Sequence, residues 1–450
     1  MVEKARADAN GGPLKLLQRF AGGGSNRSVK LAASNAFFIR IANAGIAYLS
    51  QIIMARWMGA FEYGIYVYVW TWVLLIGTIA DLGFSITAQR VIPTYLQANQ
   101  LDRVRGFIHS SRWIPGLSVT ILAGHSVALI WLLSEQMDAY LVFPLLLACI
   151  ALPPYGMTAG QDGAARAFGW INLALLPPFI LRPVLLLLFM LMLFGLGMPL
   201  DATTAMWSAV AATWLTAVGQ IVVFDRRLSQ RIENGPRRYL RREWIYSSLP
   251  VLCVNFFQFM LSYVGVLLLE VFRSPADIAI FYAATKITAI VSMVYFAVSA
   301  SAAYRFAALD AAGDREGLKA FYAGSTRWTL LPTVLVGLGI LVAGKPLLWL
   351  FGEEFTAGYS LVIVMIVGLV VRAAIGPGEQ MLNMLGQQRM CAAIFGTAFV
   401  FNLLLCFALI PSFGAMGAAI AATASIVVET LLIHLVIKRK FGIKAIISLR

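Results

Sequence analysis

Apolar stretches of about 20 residues recur along this 450-residue chain with only short polar interruptions. At about 1.5 Å of rise per residue, about 20 helical residues are what a ~30 Å bilayer core requires. The pattern predicts twelve membrane helices, at 31–55, 64–88, 113–134, 139–159, 171–197, 203–224, 245–270, 279–304, 328–351, 357–375, 389–410 and 414–437. Composition points the same way. Hydrophobic residues make up 60% of the chain and charged residues 12%, with a mean hydropathy of +0.80, whereas a soluble domain carries about 25% charged residues. Lipid is therefore the solvent for most of the sequence. Residues 1–30 lack the apolar core of a cleavable signal and read as a polar cytoplasmic tail, which leaves the first helix to act as its own signal.

Lysine and arginine resist translocation, so their placement sets the orientation. With both termini inside, all but six of the 35 cations fall on the cytoplasmic side or at its helix ends. Arg56, Arg273 and Lys345 fall outside, while Arg40, Arg182 and Lys286 lie within helices. The densest basic run, Asp225 to Glu243, sits mid-chain and reads as a linker between two six-helix halves. Its charge, and the net +14 of the chain, are what a positive-inside anchor near anionic headgroups requires, so no nucleic-acid partner is implied. The expected organisation is a tail (1–30), a first half (31–224), a basic linker (225–244), a second half (245–437) and a basic cytoplasmic tail (438–450).

An internal repeat supports two halves. An offset of 215 residues sets Glu62-Tyr63-Gly64-Ile65-Tyr66 on Asp277-Ile278-Ala279-Ile280-Phe281, and Arg90 on Arg305. Asp102-Arg103 and Asp314-Arg315 follow in the next loops. A parallel repeat of even helix number implies a pseudo-two-fold axis along the membrane normal, with a cavity between the halves. The expected fold class is thus all-α: a polytopic bundle of about twelve helices in two six-helix halves around a central cavity.

At this point the sequence resembles a known family. Ala55-Arg56-Trp57-Met58-Gly59-Ala60-Phe61-Glu62-Tyr63-Gly64-Ile65-Tyr66 is similar to the AR-x-LG-x-x-x-YG-x-Y segment of oligosaccharide flippases and polysaccharide exporters, the O-antigen-flippase branch of the multidrug/oligosaccharidyl-lipid/polysaccharide superfamily. Asp81-Leu82-Gly83 and Arg90 resemble that family's second helix. Leu348-Trp349-Leu350-Phe351-Gly352-Glu353-Glu354-Phe355 and Leu385-Gly386-Gln387-Gln388-Arg389 resemble its stretches before helices ten and eleven. The resemblance implies movement of a lipid-linked oligosaccharide, usually on undecaprenyl pyrophosphate, from the cytoplasmic to the periplasmic leaflet of a bacterial inner membrane. It also implies surface-polysaccharide synthesis alongside polymerase and export machinery.

An anionic pyrophosphate and a polar glycan need a hydrated path with fixed positive charge at membrane depth. A central Arg or Lys costs about 2.5 kcal/mol or more to insert and usually faces a cavity or a partner. Arg40 in helix one, Lys286 in helix eight and Arg182 in helix five are the candidate cavity cations, with a structural ion pair as the alternative for Arg40 and Lys286. Lys286, in Tyr282-Ala283-Ala284-Thr285-Lys286, also resembles the family's Y-x-A-x-[KR] pattern. Arg182 lies beside Pro177-Pro178 and Pro183, whose freed carbonyls it could instead satisfy. Arg372 is a further candidate cavity cation, but it lies near a cytoplasmic helix end where snorkelling would suffice.

Coupling to a proton or sodium gradient needs a membrane acid. Glu429 in helix twelve is a proton relay or the partner of a cavity cation; Asp81 is a coupling acid or a structural group at the helix-two turn. His125 and His434 read as packed or interfacial. Asn255 and Gln258 could meet sugar hydroxyls or join helices.

The remaining motifs exclude chemistry. Cys149, Cys253, Cys391 and Cys406 are isolated in apolar spans without CxxC spacing, so no zinc site or disulfide is indicated. Gly339-x4-Gly344-Lys345 imitates a phosphate loop, but Pro346 stands where Ser or Thr is required. No cofactor is implied. With no catalytic motif and no long extracytoplasmic loop, transport is favoured over a membrane glycosyltransferase or polymerase. A drug/cation antiporter of the same superfamily, which should show acids in a small cavity, is the nearest rival.

Overall fold

The computed structural model describes residues 26–443, with side chains from Gly45 onward. Among these residues the regular structure is entirely helical. The elements are α1 (Asn26–Ala80), α2 (Phe84–Gln97), α3 (Leu101–Leu133), α4 (Ala139–Ala167), α5 (Ile171–Gly195), α6 (Ala202–Ser229) and α7 (Arg241–Phe272). They continue with α8 (Pro275–Ala311), α9 (Arg315–Trp349), α10 (Tyr359–Ala373), α11 (Gly378–Met384), α12 (Gln388–Phe413) and α13 (Ala415–Phe441). Among the described residues, eleven segments are long and apolar enough to cross a membrane, the first of them running from Gly45 to Gln97.

That first segment holds more than one crossing, because α1 is two limbs joined at Gly59 (φ 75°, ψ 171°). The Tyr63 hydroxyl donates to Gln51 Oε1 at 2.7 Å, whereas a straight helix would set twelve residues about 18 Å apart. The chain therefore doubles back, as separate first and second spans require. The expected second span, 64–88, is cut short. α1 ends at Ala80, and Leu82 (φ 50°) and Gly83 (φ 76°) turn the chain into α2. A Cβ on Gly83 would lie 2.6 Å from the carbonyl oxygen of Ser248, so only glycine lets α2 pack this closely on α7.

Most other helices outrun their apolar windows at the ends that carry charge. α3 begins twelve residues before its expected start and α9 thirteen before its own. Hydropathy marks the stretch immersed in hydrocarbon, and these helices continue past it into the headgroup region. Along α9, Leu331, Leu335, Leu338 and Val342 are exposed at helical spacing, the stripe expected of a lipid-facing surface.

Corresponding helices pack alike in the two halves. α3 lies on α4, and α6 on both α4 and α5; α9 lies on α10, and α13 on both α10 and α12. The repeat is looser at one helix start, where only the first half shows a side-chain hydrogen bond among the described residues. Glu62 accepts the Ala202 N–H that opens α6 at 2.9 Å, and Asp277, 215 residues on, lines a small cavity with Gly414 and Ala415 at the start of α13. The halves meet where the second limb of α1 lies against the start of α8, and where α7 lies against α1 and α2. At the first contact a Cβ on Gly64 would fall 1.8 Å from the carbonyl oxygen of Pro275, a small-residue approach of the kind that joins membrane helices.

The basic run at 225–244 is more ordered than a bare surface anchor. Arg105 on α3 donates to the carbonyl oxygens of Glu233 (2.9 Å) and Pro236 (3.0 Å), and Arg112 pairs with Asp225. The linker is strapped to the first half by side chains that composition alone presents as free charge.

Candidate functional site

Among the described residues, two of the cavities lie between the helices of the bundle and share lining residues on α7 and α8. The first, of about 380 Å³, is lined from the first half by Gln51, Trp70, Tyr155, Asp162 and Arg182, and from the second half by Tyr263, Tyr282 and Lys286. Arg182 owes its position to α5's proline-broken course: Pro177 to Leu181 form a π turn, after which Arg182 opens a regular helix. Its guanidinium does not satisfy the freed carbonyls. It lies 5.2 Å from the ring of Trp70 and 5.7 Å from that of Tyr155. Lys286 likewise has its ammonium 4.4 Å from the ring of Tyr282. Neither cation makes an ion pair among the described residues. Ring faces attract a cation without neutralising it, so both charges remain available to an anion.

Asp162 is the acid of this cavity, and it accepts a hydrogen bond from Gln220 Nε2 on α6. It escaped sequence reading because the fourth apolar window stops at 159 while α4 continues to Ala167.

The second cavity, of about 610 Å³, belongs to the second half and is lined by Gln258, Lys286, Arg372, Glu379, Asn402 and Glu429, among others. Lys286 and Tyr263 line both cavities. Arg372 does not snorkel: its Nη2 lies 2.9 Å from Glu379 Oε2 and 3.5 Å from Glu429 Oε1, and its guanidinium 4.5 Å from the ring of Tyr295. Gln258 Nε2 donates to Glu379 Oε1 at 3.1 Å. One cation thus faces two carboxylates. Oε1 of Glu429, the oxygen 3.5 Å from Arg372 Nη2, is buried without a hydrogen-bond partner among the described residues. Glu429 thus lies beside a cavity cation, Arg372, a position compatible with either of its two readings. Glu379, unnoticed in the sequence because it lies outside the apolar windows, falls 217 residues after Asp162, close to the repeat offset.

The other sequence candidates separate. Arg40 lies on the first limb of α1, and its side chain falls outside the described residues. Asp81 lines neither cavity; its carboxylate accepts the backbone N–H of Ser85 at 3.3 Å, a turn-holding role. His125 is exposed on α3 with Nδ1 2.8 Å from the Ile121 carbonyl, and His434 lines neither cavity. Asn255 lines neither, while Gln258 joins α7 to Glu379.

Comparison with known proteins places this architecture. The lipid II flippase MurJ in its inward closed conformation superposes with a TM-score of 0.69 over 90% of this chain and 87% of that one, at 12% identity. An inward-facing multidrug resistance MATE family transporter of the MOP superfamily superposes with a TM-score of 0.64 over 90% and 94%, at 15% identity. In sequence, the probable low-salt glycan biosynthesis flippase Agl15 of Haloferax volcanii is 25% identical over 237 residues, 52% of this chain and 48% of that protein. The match thus spans about half of that relative's length. Residues 34–304, more than half of the chain and including both α1 limbs, Arg182 and Lys286, match the family described as "Polysaccharide biosynthesis protein", and the chain is a member of that family.

Proposed function

We propose that this protein is a flippase that carries a lipid-linked oligosaccharide, of the undecaprenyl-pyrophosphate type, from the cytoplasmic to the periplasmic leaflet for surface-polysaccharide synthesis. The observation that carries this reading is the first cavity, where Arg182 from one half and Lys286 from the other line a single space with Asp162, neither cation making an ion pair among the described residues. Two unneutralised cations at membrane depth suit a diphosphate, since a guanidinium can bind two oxygens at once and an ammonium supplies a point charge. Arg40, on the first limb of α1, is proposed as a third cation of the substrate path. The name of Agl15 and the family description support the glycan half of the reading.

The charge asymmetry along the chain supports a bacterial inner-membrane location with both termini cytoplasmic, and the path to polymerase and export partners leads from the periplasmic face. The Arg372–Glu379–Glu429 group is the proposed seat of proton or sodium coupling, with Glu429 carrying the exchangeable site. This is transport by alternating access rather than covalent catalysis.

The test is reconstitution in proteoliposomes with a fluorescent polyprenyl-pyrophosphate sugar, scored by protection from a membrane-impermeant quencher. Wild-type protein should move the probe between leaflets, and Arg182→Ala and Lys286→Ala should each slow it by about tenfold or more, the loss expected for one charge-assisted hydrogen bond. Equal rates in all three proteins would overturn the cavity assignment.

A further inference from the structure

Two sequence motifs that this transport cycle leaves unused come from opposite halves and meet in space. One is Arg56 to Gly64, around the turn of α1; the other is Leu348 to Phe355, after α9. Their meeting point lies at the end of the bundle away from the linker, because α7 crosses from the linker to reach Pro275, and Gly64 rests against Pro275.

Charge is exchanged there in both directions. Arg56 Nε donates to the carbonyl oxygen of Leu350 at 2.8 Å and its Nη2 to that of Trp349 at 2.9 Å, with the guanidinium 4.6 Å from the Trp349 ring. The last carbonyls of a helix have no intrahelical donor and carry its partial negative charge. In return, Glu354 Oε1 accepts the Ala60 backbone N–H at 2.6 Å, at the start of the second limb of α1, where N–H groups are unpaired and the helix is positive. Each half thus completes a helix end of the other. Gly59 stands between Arg56 and Ala60 at φ 75°, ψ 171°, a backbone region that side-chain-bearing residues avoid. Below this exchange the aromatic contacts Tyr48–Phe351 (5.6 Å between ring centres), Tyr63–Phe355 (6.2 Å) and Tyr63–Tyr282 (6.3 Å) cross between the halves. Tyr282 also lines the first cavity, so the seal is continuous with the cavity wall.

We infer that Arg56 and Glu354 form a reciprocal helix-end latch that holds this end of the central cavity shut and parts each time the cavity opens there. Arg56 and Glu354 are both exposed, so their bonds compete with water and are weak enough to break in each cycle. The aromatic layer beneath separates with them.

The experiment uses the full chain in lipid nanodiscs, with the native cysteines replaced and spin labels on Phe61→Cys and Ala357→Cys, one in each half. The parent protein should give one dominant short distance. Arg56→Ala combined with Glu354→Gln should enlarge a longer-distance population several-fold, and an unchanged distribution in the folded double variant would overturn the latch. Should that variant fail to fold, a second pair decides. Tyr48→Cys and Phe351→Cys, joined by a short cleavable thiol reagent, should stop lipid movement until the reagent is cleaved. Undiminished movement in the cross-linked protein would equally overturn it. The spin-label readout needs no substrate, so it stands or falls independently of the identity of the cargo.

Discussion

The two cavities are built from corresponding helices and carry opposite chemistry. In the first half, α4 and α6 meet through Asp162 and Gln220, a carboxylate facing a neutral amide, and the cavity's cations Arg182 and Lys286 rest on aromatic faces. In the second half, α10 and α13 meet through Arg372 and Glu429, and the loop after α10 adds Glu379, so a single guanidinium faces two carboxylates. The first arrangement leaves positive charge free for an anion, whereas the second matches its cation with carboxylates. A duplicated scaffold has thus diverged at the few positions where a membrane-buried charge must be matched, and on that difference rests the proposal of a cargo site in the first cavity and a coupling site in the second. Lys286, which lines both cavities, is where the two can communicate.

The largest effect should come from removing the cation of the second cavity. Arg372→Ala leaves two carboxylates unneutralised, and stranding a buried charge costs about 3–5 kcal/mol. The yield of folded protein and its melting temperature in detergent should fall sharply, and adding Glu429→Gln should recover part of the loss. An unchanged melting temperature in Arg372→Ala would dissolve the triad as a structural unit.

Next in size come the cations of the first cavity. Arg182→Ala and Lys286→Ala should cost about tenfold or more in lipid movement while melting stays near wild type, since each removes an unpaired deep charge whose insertion is itself unfavourable. Arg40→Lys keeps the charge but loses the planar donor pair, so it sharpens the comparison: impaired movement at normal abundance would group Arg40 with the other two.

Glu429→Gln is the intermediate case. Arg372 keeps Glu379, so the fold should survive, and movement driven by a proton or sodium gradient should collapse to the ungraded rate. A full response to both gradients would move coupling elsewhere. The smallest effect is expected for Asp81→Asn, because the amide oxygen can still accept from Ser85 and neither cavity is touched. Movement and gradient response should both stay near wild type.

How much of this was legible in the sequence follows from what hydropathy measures. It places the twelve spans on helix, the second broken at Leu82 and Gly83, because immersion in hydrocarbon dominates their composition, but it cannot see where a helix continues into water. That is why Asp162 and Glu379, just beyond apolar windows, went unread as site residues. Lys286 and Arg182 were visible because a cation inside a window is costly enough to stand out. Arg372 stood out too, yet its role depended on α11, a short helix after a glycine turn whose position no periodicity reveals. The pairing of Arg56 with α9 and of Glu354 with α1 spans nearly 300 residues of sequence separation, and only packing brings those motifs together. Arg40 lies on α1 as the apolar pattern requires, but its side chain lies outside the described residues.

The division of labour between the cavities has one direct test, equilibrium binding of a polyprenyl-pyrophosphate sugar to the purified protein without any gradient. Lys286→Ala and Arg182→Ala should weaken binding by about tenfold or more, while Glu429→Gln should bind within about twofold of wild type. Equal weakening by Glu429→Gln and Lys286→Ala, in proteins of equal melting temperature, would contradict the assignment of cargo to one cavity and coupling to the other.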